Sequence, residues 1–223
     1  MFIQSLILSL FLVLQSCGSS YSGDGDPAES TASYKLTFTA TWDANTHPSP
    51  SFPSNPHFSK LVGATHKSDY SMWKADSLAS NGIKDMAELG AVSTLSSEIN
   101  AEITKGNAYK LIVSDTGLNP SPGEISVNFE ASKDFPLLSI TSMIAPSPDW
   151  FVGVHDLKLF DGYYWITEKS IDLFGYDAGT DSGTTYTADN SVTNPKVNIS
   201  ELGTPLKSGV KLGTFKITKQ SNL

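Results

Sequence analysis

Two stretches of the chain carry residue types whose spacing suits ion chemistry. In Met143-Ile144-Ala145-Pro146-Ser147-Pro148-Asp149-Trp150-Phe151-Val152-Gly153-Val154, two prolines deliver Asp149 immediately before an apolar run. In Tyr176-Asp177-Ala178-Gly179-Thr180-Asp181-Ser182-Gly183, two carboxylates flank a glycine. Calcium takes about six to eight oxygens, and carboxylates, backbone carbonyls and water all qualify. Three aspartates on two loops at one sandwich edge would suit such a hard cation, and an empty cluster of like charges would carry raised pKa values. A purely local account uses the same residues: Asp and Gly dominate turns, and Asp149 could be a solvated strand cap. On spacing alone the local account is the simpler one.

The elements around these loops read mainly as strands. From Tyr34 to Trp42 the chain alternates, with Tyr34, Leu36, Phe38, Ala40 and Trp42 against lysine and threonine, the period of a half-buried strand. Asn45 to Ser59 holds four prolines and is expected as a surface loop. Between Ser68 and Lys105, Leu78, Ile83, Met86 and Leu89 are spaced for short helices ended by Gly82 and Gly90. A second helix is expected over Thr94 to Lys105, stopping at Gly106. Strands are then expected at Tyr109–Ser114, Glu124–Ala131, Leu137–Ile144, Trp150–Phe160, Tyr163–Ile171, Thr184–Thr187, Val197–Leu202 and Lys211–Thr218. Many short strands with brief turns predict an all-β fold, an antiparallel β-sandwich with short capping helices. No fixed-period repeat is present, which disfavours a propeller or solenoid.

The first residues bear on location. An uncharged, mostly apolar run leads into Leu14-Gln15-Ser16-Cys17, and Cys17 is the only cysteine. The run has the core and small-residue cut of an export signal. A cysteine just after the cut resembles the lipobox of bacterial lipoproteins. The expected division is therefore a signal peptide at 1–16, a lipidated Cys17 with a flexible tether to 32, and one domain at 33–223. This places the protein outside the cytoplasm, lipid-anchored to a bacterial membrane, with the outer membrane or cell surface favoured. With Cys17 carrying lipid, no disulfide can form inside the domain, so packing and any bound ion must hold it. The formal net charge of -8 argues against nucleic acid as a partner.

Other chemistry-bearing residues have simpler readings. His47, His57 and His66 recur at intervals too wide for zinc and are expected as surface-loop histidines. Ser182 and His155 could be drawn as a hydrolase pair, but no nucleophile-elbow pattern supports one. Glu98 and Glu102 share a helical face, as exposed carboxylates commonly do. Trp42 and Trp150 fall on strands and are expected in the core. Trp73, in a polar stretch, is the tryptophan to test as an exposed binding platform.

Taken together, the two aspartate-bearing segments resemble the spondin domain, an adhesive module also found in bacterial exported proteins. The likeness begins near Tyr34-Lys35-Leu36-Thr37-Phe38 and continues through Trp42, His57-Phe58-Ser59 and Phe135-Pro136-Leu137. It peaks at Met143–Val154 and again at Asp177–Gly183. The resemblance implies a C2-like β-sandwich, no catalytic activity, and a role in adhesion toward a surface protein, matrix or glycan ligand. It also implies one calcium ion held by Asp149, Asp177 and Asp181. Analogy with other C2-like sandwiches leaves open a calcium-dependent module for glycans or lipid headgroups. Animal members carry cysteines beyond the first peak, whereas Leu157 to Trp165 contains none. Neither disulfides nor animal receptors such as integrins carry over.

Overall fold

The structure, a computed structural model, describes residues 29–206 and 208–221. The expected signal, Cys17 and most of the tether lie outside the described residues. Strand β1 (Thr31–Ala40) realises the alternation, with Tyr34, Leu36, Phe38 and Ala40 all buried. It starts earlier than the expected domain boundary at 33: Thr31 and Ala32 already pair with Ser132 and Ala131 of β5 (Gly123–Ser132). Thr31, Ala32 and Ser33 carry little apolar signal, so only the neighbouring strand reveals them as sheet.

Two antiparallel sheets form the sandwich. The first has the order β5-β1-β11-β8, with β8 at Glu168–Leu173 and β11 at Gly213–Lys219. The second is built from β2 (His57–Phe58), β3 (Val62–His66), β4 (Ala108–Val113), β6 (Leu137–Ala145), β7 (Trp150–Lys158), β9 (Tyr176–Asp177) and β10 (Ser200–Glu201). Its order is β10-β9-β7-β6-β3-β4, and β2 pairs with β6. Tyr34, Leu36, Phe38, Phe215 and Ile217 from one sheet meet Leu138, Ile140, Ile144, Trp150 and Val152 from the other. Alternating residues facing a shared core are what an aligned sandwich requires.

The outer face of the second sheet is covered as well. Helices α1 (Asn81–Leu89) and α2 (Ser93–Thr104) place Ile83, Met86, Leu95 and Ile99 against Val62, Ala64, Met143 and Phe151. Residues Leu138 to Ala145 of β6 are consequently all buried, because one face meets the first sheet and the other the helices. Helix α1 starts at Ser80, whose hydroxyl accepts the Ile83 N–H, and ends at Gly90 in the left-handed region. Gly82 does not end a helix as expected. It lies in the first turn of α1, where an added Cβ would stand 2.6 Å from Leu95 Cα, so it serves close helix packing. Leu78 precedes the helix and is exposed.

One expected strand does not form and two are shortened. Asp161 Oδ1 accepts the N–H groups of Tyr163 and Tyr164 at 2.8 and 2.7 Å, a turn that delays β8 until Glu168 despite the strand-like composition of the segment. Residues 185–187 form a bend and turn where a strand over Thr184–Thr187 is expected, and the Val197–Leu202 strand shrinks to β10.

Candidate functional site

The β7–β9 ladder creates the corner where the aspartates meet. Trp150 pairs with Asp177 and Phe151 with Tyr176, and the Ala178 N–H donates to the Asp149 carbonyl at 3.1 Å. Asp149, immediately before β7, is thereby set against the turn that follows β9.

Asp149 is fully buried at 0% exposure. Its Oδ2 accepts the Thr180 N–H at 2.7 Å, the Asp181 N–H at 3.0 Å and the Thr180 hydroxyl at 3.2 Å. Oδ1 is buried with no hydrogen-bond partner. Burial, and secondly the charge of Asp177, push the Asp149 carboxyl up to about 6, although the donors on Oδ2 pull the other way.

Asp177 and Asp181 each fold back on the local backbone. Asp177 Oδ1 accepts the Gly179 N–H at 2.8 Å, and Gly179 adopts φ 71° where a Cβ would stand 2.3 Å from the Val197 carbonyl oxygen. Asp181 Oδ1 accepts the Gly183 N–H at 2.7 Å and Oδ2 the Ser191 N–H at 2.8 Å. Burial raises Asp177 first. The Gly179 N–H and the nearby Trp150 indole lower it, and the Asp181 charge raises it again. The indole nitrogen of Trp150 makes no hydrogen bond within bonding geometry, so its influence is that of a neighbouring dipole.

The three carboxylates thus share one corner and two electrostatic couplings, while two of them also serve the turn geometry that spacing alone suggested. Among the described residues no group of three or more His, Cys, Asp or Glu side chains is arranged as a metal centre. The feature that fits a cation is the orphaned Asp149 Oδ1, a buried negative oxygen with no donor, next to a second carboxylate. Oxygen donors of this kind match calcium or magnesium rather than softer metals.

Other candidates resolve differently. His47 and His66 are buried, not surface-loop residues: His66 Nε2 lies 2.8 Å from Ser139 Oγ and Nδ1 2.8 Å from the Lys67 carbonyl. Trp73 is also buried, stacked edge-on against Phe151, His155 and Tyr176, so it offers no exposed platform. Trp42 and Trp150 are core residues as expected. The Ser182 hydroxyl engages Ser191, and His155 engages Asp156 at 3.2 Å, so the two make no hydrogen bond to each other. Glu98 ties α2 to the start of α1, accepting from Ser80 Oγ at 2.7 Å and from the Gly82 N–H at 2.8 Å. A residue that sequence reasoning passed over is Glu88 in the last turn of α1, which lines a cavity with Asp181. Its only sequence signal is the spacing to Lys84.

Fold and corner together define a class: a helix-backed antiparallel β-sandwich carrying an acidic loop corner at one end of its larger sheet. The chain belongs to the Spondin_N family, whose model matches residues 32–217. It is 36% identical over 202 residues to Spondin-2 of Homo sapiens, covering 89% of this chain and 61% of that protein. It is 38% identical over 173 residues to Spondin-2 of Rattus norvegicus, covering 77% of this chain and 52% of that relative. With Spondin-1 of Gallus gallus the identity is 35% over 181 residues, covering 77% of this chain and 22% of the relative. The chain therefore spans roughly half to three fifths of the Spondin-2 relatives and a smaller part of Spondin-1.

Proposed function

We propose that this chain is a non-enzymatic recognition module, exported and held to a bacterial membrane by lipid on Cys17, that binds calcium at Asp149, Asp177 and Asp181. Its partner is a surface protein, matrix component or glycan met through the same loop edge. Family membership supports the adhesion-type reading, and the apolar run before Cys17 supports export. Among the described residues no helix is long and apolar enough to cross a membrane. The single observation behind the metal is the buried Asp149 Oδ1 without a donor, beside Asp177. Asp149 supplies that free oxygen, while Asp177 and Asp181 retain acceptor capacity beyond their backbone bonds. When bound, the ion supplies counter-charge to the buried Asp149 and Asp177 pair. Extracellular calcium modules work at dissociation constants of about 10⁻⁴ to 10⁻³ M, within reach of such a site.

Calorimetric titration with calcium tests the assignment. Wild-type protein should release or absorb heat with one-site stoichiometry, and Asp149→Asn should not. Equal titrations for both would remove the ion from this corner.

A second reading, a calcium-dependent module for glycans or lipid headgroups, draws on the apolar side chains around the loops. Val192 bridges Asp181 and Val197 bonds to Gly179, and they are 63% and 56% exposed. Binding to liposomes or a glycan array, lost on chelation, would favour it over a protein partner.

A further inference from the structure

The C-terminal turn of α1 and the Asp181 loop enclose a cavity of about 180 Å³. Its polar side is formed by Glu88, Asp181 and Asn190, and its apolar side by Leu89, Pro148 and Ala188. Glu88 is the unusual member. Its side chain is nine-tenths buried, at 10% exposure, and only Oε2 is engaged, by Lys84 Nζ at 2.5 Å. Oε1 is buried and has no partner. A carboxylate oxygen removed from water without a donor is costly.

The surroundings call for positive charge. Among the described residues Lys84 is the basic residue bonded to Glu88, and it also feels Asp85 and Asp181, so one cation serves three carboxylates. The cavity further adjoins the negative end of the α1 dipole, and the last turn of α1 contains no basic residue. Leu89, at 71% exposure, stands at the edge. An opening with a charged floor and apolar walls matches a side chain that is itself an apolar stem with a cationic tip.

We propose that this cavity receives a basic side chain, lysine or arginine, of a protein partner. The stem lies along Leu89, Pro148 and Ala188, and the tip faces Asp181 and the Glu88 carboxylate, which turns to bring its buried Oε1 to the incoming donor. This deepens the recognition reading by giving the partner a chemistry, and it rests on that loop edge being the binding face. It does not require calcium, because Glu88 is outside the aspartate triad, but Asp181 belongs to both sites, so the titration is read with and without the ion.

The test is an amide-resolved NMR titration of the folded domain with Nα-acetyl-lysine methylamide, with the norleucine analogue as the uncharged control, in calcium and in chelator. Saturable shifts at Leu89 and Ala188 with the lysine compound alone support the proposal. Glu88→Gln should weaken them at least about tenfold, as loss of a charge-assisted hydrogen bond does. Lys84→Met, which frees Glu88 Oε2, should strengthen binding, an effect that a merely structural Glu88 would not show. No shift, or equal shifts with the norleucine compound, would overturn it. So would shifts at Leu89 and Ala188 produced by calcium alone and lost in Glu88→Gln, which would make the cavity a metal site. Failure of the calcium reading shows separately, as no response of the Asp149 corner to calcium.

Discussion

Asp149 Oδ2 accepts the Thr180 N–H at 2.7 Å and so joins the residue before β7 to the turn after β9. The same oxygen takes two further donors while its companion takes none. One carboxylate is therefore both a loop staple and an unsatisfied charge, and the two roles separate by substitution.

Asp149→Asn keeps an acceptor for the Thr180 and Asp181 N–H groups and removes the charge. Asp149→Ala removes both. In chelator at pH 7, urea unfolding should find the alanine variant about 2–3 kcal/mol less stable than the asparagine variant, the cost of leaving buried donors unpaired. The asparagine variant itself should match or exceed wild type under those conditions.

The pH dependence has a definite sign. A carboxyl raised from 3.8 to about 6 on folding binds more protons in the native state across that interval. Its contribution is present at pH 4 and is lost as pH rises through 6, by about 3 kcal/mol. His66, lowered by burial, acts in the opposite sense below its ordinary 6.5. The stability difference between wild type and Asp149→Asn cancels His66. In chelator that difference should fall between pH 4 and 7, and a flat difference would contradict the burial of the charge.

Gly179→Ala tests the turn geometry. At φ 71° and 2.3 Å from the Val197 oxygen, a methyl group cannot be accommodated without moving the backbone. A loss of about 1–3 kcal/mol is expected in chemical denaturation, together with a weakened calcium response.

Glu98 holds two donors at the start of α1. Glu98→Ala should cost about 1–2 kcal/mol and lower hydrogen-exchange protection in α1 more than in β1, whose neighbours are unchanged.

Much of this arrangement was legible from residue patterns because one face of each long strand meets a core. Tyr34 to Trp42 alternates for that reason, and Leu95 and Ile99 mark the buried face of α2. Tyr163 and Tyr164 misled because a single turn-forming Asp161 outweighs their strand-like character. Trp73 looked exposed among polar neighbours, yet its shelter comes from Phe151, His155 and Tyr176, far along the chain. The aspartates could be picked out as a set. Which of their oxygens would be left without a donor depends on the β7–β9 pairing, and that of Glu88 on the placing of α1, neither of which has a signature in local sequence.

The most direct test of the central claim is the thermal unfolding midpoint of wild type and Asp149→Asn, each in calcium and in chelator at pH 7. Calcium at a hundred times its dissociation constant adds about 2.7 kcal/mol, which for a domain of this size is a rise of about 5–10 °C. Wild type should show that rise and Asp149→Asn should not. An unchanged wild-type midpoint, or the same rise in both proteins, would contradict a calcium site at this corner.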